Sequence, residues 1–335
     1  MRASVVVATF NGSRYLREQL ISLSRQDRLP DEVVAVDDAS TDSTVEILDE
    51  FRSTAPFPVV IVERSEHLGT SATFDEAMQR ATGDVIFVCD QDDRWHPDKI
   101  RVTLEAFERH PDAMLMFSDT RLMDEQGRET DRSRWKLAAF GPQQVSMLER
   151  DSFGLIFSRQ IVAGCATAVR AELVPALLPF PEALHPALPD MIYDRWISLI
   201  GAAAGPVVSV PEPLVDYRIH PAQQIGIPGL RARRRAPRAV LLLAQLRWSR
   251  ASTQERARYT RAHIDEIEKR LTANGLASPA VIASLQAARR HLLFREGLDP
   301  SRRVRLGAII RHLRDVDGYR RFALGRATAL TDLIR

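Results

Sequence analysis

The chain has 335 residues, 45% of them hydrophobic and 27% charged, enough for one large domain and a smaller one. No run approaches the roughly 18 consecutive apolar residues of a membrane-spanning helix. The two cysteines, Cys89 and Cys165, lack the spacing of a disulfide framework or a zinc site. The net charge of +2 hides a polarity: residues 1–229 carry 22 Lys and Arg against 35 Asp and Glu, and residues 230–335 carry 24 against 9. An acidic body followed by a basic, Arg-rich region is the division that charge alone predicts.

Met1-Arg2 leads directly into Ser4 to Ala8, a run too short for the apolar core of a signal peptide. It reads as the first strand of a cytoplasmic protein. Thr9-Phe10-Asn11-Gly12 turns off its end, and Leu16, Leu20 and Leu23 mark a helix. Glu32 to Val36 predicts a second strand, ending in Asp37-Asp38-Ala39-Ser40-Thr41-Asp42. Thr41 or Asp42 can cap the helix that carries Val45, Ile47, Leu48 and Phe51. A third strand is expected over 59–62, a third helix over 72–81 and a fourth strand over 85–89.

That fourth strand stops at Asp90, Asp92 and Asp93, and Pro97 fits the first turn of a helix through Ile100 and Leu104. Alternating strands and amphipathic helices imply a parallel, doubly wound sheet, where ligands bind beyond the carboxyl ends of the strands. No GxGxxG or Walker loop is present, which argues against ordinary dinucleotide and ATP-hydrolysing sites. Carboxylates crowded at a strand end repel one another unless a cation lies among them, and such oxygens suit Mg²⁺ or Mn²⁺. An Asp-rich turn capping the next helix is the competing reading.

Beyond Pro111 the alternation loosens. A strand over 113–117 ends in Ser118-Asp119, and a turn follows over 123–127. Residues 131–160 read as irregular, acceptor-side loops carrying Trp135, Phe140, Phe153 and Phe157. A strand is expected over 164–169, and a helix over 189–204 that contains Tyr193-Asp194-Arg195-Trp196. Strand-like segments over 207–210 and 214–219 lead into His220. The basic region opens with Arg231 to Arg235 and Arg238, with helices expected over 240–250, 259–271 and 304–313. Trp248 is its one tryptophan, so base stacking is a weak reading and no nucleic-acid partner is expected. Basic amphipathic helices either lie on an anionic membrane or pack on the acidic body with their arginines outward.

Taken in order, several motifs resemble the family-2 glycosyltransferases, and within them the bacterial rhamnosyltransferase-like branch. They are Val-Val-Val-Ala-Thr-Phe-Asn-Gly at 5–12, Val-Asp-Asp-Ala-Ser-Thr-Asp at 36–42 and Cys-Asp-Gln-Asp-Asp-Arg-Trp at 89–95. Ser118-Asp119, Gly164-Cys165, Tyr-Asp-Arg-Trp at 193–196 and Tyr-Arg-Ile-His at 217–220 continue the series. The resemblance implies an α/β GT-A domain with a mostly parallel central sheet over 1–228, and a basic α-helical region over 229–335.

It further implies that Thr9, Asn11 and Asp38 bind the nucleoside end of a nucleotide sugar, with Asp37 left to the turn. Asp90 would contact the ribose or the metal, and Asp92 with His220 would ligate Mn²⁺ or Mg²⁺ beneath the diphosphate. Asp194 matches the family's general base, and Asp190, one turn earlier, is its rival. Asp93, Trp95, Ser118, Asp119, Gly164, Cys165, Trp196, Arg218 and Gln223 are further candidates within or beside these motifs. Relatives often read Tyr-Arg-Gln-His-Gly-Asn-Asn. Here Ile219 replaces the Gln and Pro221-Ala222-Gln223 the last three, leaving Gln223 to substitute for a lost amide.

The implied activity is an inverting, metal-dependent transfer of a sugar from a dTDP- or UDP-linked donor, rhamnose foremost. The acceptor would be a hydroxyl of a cell-surface glycan or lipid-linked molecule, reached by peripheral contact at the inner face of the membrane, and a homodimer is a further expectation. A sugar nucleotidyltransferase is the first alternative, but it calls for a Gly-rich phosphate loop that is missing near the N-terminus. An inactive scaffold is the second, and the joint presence of Asp90, Asp92, Asp194 and His220 argues against it.

Overall fold

A computed structural model describes residues 1–181, 193–223, 253–299, 301–315, 318–323 and 325–334. The first part follows the alternation of the sequence: β1 (Ala3–Thr9), α1 (Leu16–Ser24), β2 (Glu32–Asp37), α2 (Thr44–Thr54), β3 (Val59–Glu63), α3 (Thr70–Arg80) and β4 (Val85–Asp90). β1, β2 and β4 are covered on both faces, as continuous Val, Ile and Ala runs require. Their parallel register sets Thr9 beside Asp37 and Ala8 beside Asp90, so the polar residues of three strands leave the sheet at one edge.

Next come β5 (Arg94–Trp95), α4 (Lys99–Arg109), β6 (Leu115–Met123), β7 (Glu129–Ser133), α5 (Arg134–Ala138), α6 (Pro142–Arg150) and α7 (Ser152–Ser158). β8 (Thr167–Arg170), α8 (Val174–Leu177), α9 (Tyr193–Ala204) and β9 (Val207–Arg218) complete the body. The sheet runs β3-β2-β1-β4-β8-β6-β9-β5, with β7 paired to β6. β8 is antiparallel to both β4 and β6, whereas β6 and β9 are parallel.

Four local expectations change. Residues 131–160 are not loops: β7 and three short helices occupy them, and Trp135, Phe140, Phe153 and Phe157 are buried. Ser133 and Asp151 cap two of these helices through their side chains, so the polar residues between the aromatics are helix starts. β6 continues through Ser118-Asp119 to Met123 because β9 pairs with it along that length. β9 is one strand, with its register shifting where it passes Pro211 and Pro213. Gly164 to Ala166 form a 3₁₀ turn, and β8 begins only at Thr167.

Alternation along the strands divides the core into two layers. Val6, Val34, Ile86 and Phe117 face one side with Phe74 and Trp196, while Val5, Val7, Val33 and Phe87 face the other with Leu16, Leu20 and Phe107. Five further helices follow: α10 (Thr253–Ala273), α11 (Pro279–Glu296), α12 (Arg302–Asp315), α13 (Gly318–Phe322) and α14 (Arg326–Ile334). Ile264, Ile267 and Leu271 of α10, Leu285 and Leu292 of α11 and Phe322 of α13 extend the first layer. Arg270 stacks over the Trp196 ring at 5.2 Å and donates to the carbonyls of Leu177 and Pro179.

The seam is therefore largely apolar. Among the described residues Arg321–Asp151 is the ion pair that joins the C-terminal helices to the body. The arginine cluster 231–238, the helix expected over 240–250 and the boundary at 228 lie outside the described residues. Among those residues no helix is long and apolar enough to cross a membrane.

Candidate active site

The loops after β1 and β2 are tied together by side chains. Thr9 Oγ1 donates to Asp37 Oδ1 at 2.8 Å, and Asp37 also takes the Ser40 N–H and hydroxyl. Asn11 sits at φ 46°, a left-handed conformation that Asn tolerates, and accepts from Thr41 N at 2.8 Å. Asp38 is buried, and both of its oxygens are engaged: Oδ1 by Leu68 N and Arg64, Oδ2 by Gly69 N and His67. It thus holds a loop whose His67 ring stacks on the half-exposed Phe10 at 4.0 Å.

The loop after β4 is clamped onto this arrangement by Gln91, whose amide exchanges two hydrogen bonds with the Phe10 backbone at 2.9 and 3.0 Å. A Cβ on Gly12 would collide with the Gln91 side chain, so glycine is what lets the two loops close. Asp92 Oδ2 lies 2.7 Å from His220 Nε2. The Tyr15 ring packs 4.6 Å from the imidazole, and Nδ1 is buried without a partner. Arg218 braces the loop from beneath, donating from N to Asp93 Oδ1 at 3.0 Å and from Nε to the Asp92 carbonyl at 2.8 Å. Gln223 closes the turn around His220, bonding His220 N and the Arg218 carbonyl.

Crowding carboxylates into one loop costs free energy that appears in the protonation of Asp90 and Asp93. Burial first, and the charge of Asp92 second, raise Asp90 to about 7 and push Asp93 well above the carboxylate range. Lys99 lies buried beneath the loop, its Nζ 4.6 Å over the Trp95 ring, and burial lowers its pKa to about 8. Asp92 and His220 present an oxygen and a nitrogen donor at one point, a set that fits a divalent cation such as Mn²⁺. Asp90, Asp93 and Cys165 also bring donor atoms within 4.8 Å of one another, but that group is deeper and faces Lys99.

Asp194 occupies the first turn of α9, nearly buried, with Oδ1 free of hydrogen bonds. Burial raises its pKa to about 6, against the opposing pull of Arg134 and the backbone N–H groups of Arg195 and Gly164. Its neighbour Tyr193 donates from the phenol to Asp90 Oδ1 at 2.7 Å. The Tyr193 ring rests on Phe74 at 4.4 Å and on Gly164, where a Cβ would collide with the hydroxyl. Asp90 and the helix start that carries Asp194 are thereby joined through one side chain.

Not every candidate belongs to this group. Trp95 and Trp196 are core residues, the first in β5 against Phe87 and Lys99, the second donating to the Leu177 carbonyl. Ser118 and Asp119 are buried in β6, and Asp119 Oδ1 takes the N–H groups of Thr120 and Trp135. Arg218 and Gln223 bond protein groups. Asp190 lies outside the described residues. Conversely, Gln91, Lys99, Tyr193 and Arg134 stand at the site without being candidates on sequence grounds. Only Gln91 and Tyr193 stood inside motifs, while Arg134, whose charge acts on Asp90, Asp194 and Tyr217, starts a helix that had been read as loop.

Comparison with known proteins identifies the fold and the family. An uncharacterized protein of Mycobacterium tuberculosis is 26% identical over 219 residues, 65% of this chain and 58% of the relative. This chain thus spans under two thirds of that protein's length. An uncharacterized glycosyltransferase of Nostoc sp. is 24% identical over 222 residues, 66% of each chain. The structure of residues 1–349 of Staphylococcus aureus TarS in complex with UDP-GlcNAc superposes with a TM-score of 0.58 at 16% identity, covering 100% of this chain and 89% of that one. The mannosyltransferase PcManGT of Pyrobaculum calidifontis, in complex with GDP-Man and Mn²⁺, does so at 0.50 and 17%, covering 99% and 86%. The fold is the GT-A fold. The sequence model described as "Glycosyl transferase family 2" matches residues 4–173, and the chain belongs to that family.

Proposed function

We propose that this chain transfers a sugar from a nucleoside diphosphate to an acceptor hydroxyl, with inversion at the anomeric carbon. The observation that carries the reading is the convergence of Asp90, Asp92 and Asp194 beyond the carboxyl end of β4, with Tyr193 bonded to Asp90 and His220 to Asp92. Thr9, Asn11 and Asp38 form the nucleoside end, and Asp90 takes the ribose. Asp92 and His220 hold Mn²⁺ or Mg²⁺, which when bound supplies Lewis-acid stabilisation of the diphosphate charge. PcManGT, whose complex contains Mn²⁺, supports that assignment.

Asp194 takes the acceptor's proton as the acceptor oxygen bonds to C1 and the bond from C1 to the diphosphate oxygen breaks. A carboxylate with a pKa of about 6 is ionised at neutral pH yet more basic than an ordinary one. The donor proposed first is dTDP-rhamnose, and UDP-hexoses come next, as in the UDP-GlcNAc complex of TarS. A cell-surface glycan or lipid-linked molecule is the proposed acceptor, in keeping with the poly(ribitol-phosphate) polymer in the name of TarS. The basic C-terminal region is proposed to hold the enzyme at the inner face of the membrane that carries such an acceptor.

A screen of nucleotide sugars with Mn²⁺ tests the reading. Release of nucleoside diphosphate from one donor, lost in Asp92→Asn and in EDTA, is the expected result. Formation of a nucleotide sugar from a nucleoside triphosphate and a sugar 1-phosphate, with release of pyrophosphate, would make the chain a nucleotidyltransferase instead.

A further inference from the structure

The arginines of the C-terminal helices fall into two groups. Arg258, Arg261, Arg289 and Arg295 each hold a carboxylate of the same region. Arg303, Arg311 and Arg314 of α12 are exposed and form no ion pair with any described residue. No acidic residue precedes Asp315 on that helix.

α12 carries an apolar arc that the protein covers only in part. Its inner side seats Ile309 in a small core with Leu298, Tyr319 and Ala329. Its outer side shows Leu306, Ile310 and Leu313, which are 43%, 41% and 40% exposed. These three stand at i, i+4 and i+7 and form one stripe. At about 100° per residue, Arg303 and Arg314 project beside that stripe, and Arg311 lies farther round, about 130° from its centre. The covered end of that arc packs the helix on its own domain; the end that faces water calls for an occupant.

We propose that the outer face of α12 seats on an anionic lipid surface. Leu306, Ile310 and Leu313 would enter the boundary between headgroups and acyl chains, and the three arginines would meet lipid phosphates. This rests on the membrane contact proposed above and names the surface that makes it. Charge selects the occupant. A second copy of the chain, meeting this face about a two-fold axis, would set its arginines against the same arginines. An anionic surface offers phosphates to the arginines and hydrocarbon to the stripe at once.

The test is co-sedimentation of the full chain with vesicles of phosphatidylglycerol and phosphatidylcholine, and of phosphatidylcholine alone. Binding to the anionic vesicles only, falling as salt rises, is expected. The triple variants Arg303→Gln/Arg311→Gln/Arg314→Gln and Leu306→Ser/Ile310→Ser/Leu313→Ser should each lower the affinity more than tenfold, at about fivefold per arginine for the first. All six positions are exposed, so circular dichroism and melting should match the wild type. No vesicle binding by the wild type overturns the proposal, and so does binding that survives in either folded variant. A serine variant that turns a dimer into a monomer, with no vesicle binding in the parent, would give the face to a second copy and overturn it too. Nucleotide-sugar hydrolysis is measured without vesicles. A chain that binds vesicles but hydrolyses no donor would refute the transfer reading and leave this one standing.

Discussion

The Tyr193 hydroxyl donates to Asp90 Oδ1 at 2.7 Å, and the next residue along the helix is the candidate base Asp194. One helix start therefore links the two candidate carboxylates. The phenol is pushed well above its ordinary pKa, by burial first and by the charges of Asp90 and Asp194 next, so it stays protonated and remains a donor. Such a bond to a carboxylate fixes the register of α9 against the loop after β4.

Tyr193→Phe should leave the fold intact and lower kcat about tenfold, the size of one hydrogen bond to a charged group. Gly164→Ala should do the same or worse, because its Cβ would displace the tyrosine ring. Unchanged kcat in Tyr193→Phe would reduce the contact to packing.

Asp194→Asn should bind donor normally and lose roughly 10²–10⁴-fold in turnover. The sign of the pH dependence follows from the raised pKa. The base must be ionised, so the wild-type rate should climb as pH rises through about 6. That climb should be absent in the residual activity of Asp194→Asn. Near-normal turnover in the variant would move the base elsewhere.

Titration calorimetry checks the cation. UDP or dTDP should bind with Mn²⁺ and lose most of its affinity in EDTA, in Asp92→Asn and in His220→Ala. Full affinity in EDTA would remove the cation from the binding step. Full affinity in His220→Ala alone would leave Asp92 as ligand and make the histidine its orienting partner.

A fourth expectation concerns stability. Burial first, then the charges of Arg295 and His312, lower the pKa of His291 to about 3. Its Nδ1 sits 3.1 Å from His312 Nε2, with Gly318 packed against both rings. The folded state keeps this imidazole neutral, while the unfolded chain protonates it below about 6.5. Its contribution is thus complete above pH 6.5 and lost as pH falls towards 3, at about 1.4 kcal/mol per unit. Denaturant melts of the wild type and His291→Phe at several pH values isolate it. Parallel curves would show that the ring titrates freely.

The N-terminal half was legible because β1, β2 and β4 are unbroken apolar runs that end in Thr9, Asp37 and Asp90. Strands covered on both faces leave little else for such runs to be. Asp92 and His220 could be paired only through motif resemblance, since no local rule links residues so far apart. The middle of the chain was misread for a different reason. Its helices are five to nine residues long and interrupted by polar residues, so the 3.6-residue period is faint, although the caps Ser133 and Asp151 were there to be read. Trp95 and Trp196 stood in motifs yet serve the core, and Arg134 reaches the site from the first residue of a five-residue helix. Side-chain reach across elements is a property of packing, and one-dimensional pattern does not carry it.

The place of β8 in the sheet has a bearing on how the chain is made. β3, β2, β1 and β4 can pair once Asp90 has left the ribosome, since all of their partners are upstream. The free edge of β4 at Val85, Ile86 and Phe87 has to wait for Ala168 to Arg170. Until those residues emerge, an apolar strand edge stands open to any other nascent chain. A ribosome stalled between Asp90 and Thr167 would hold the protein at its most aggregation-prone stage. Chaperone demand during synthesis should peak there.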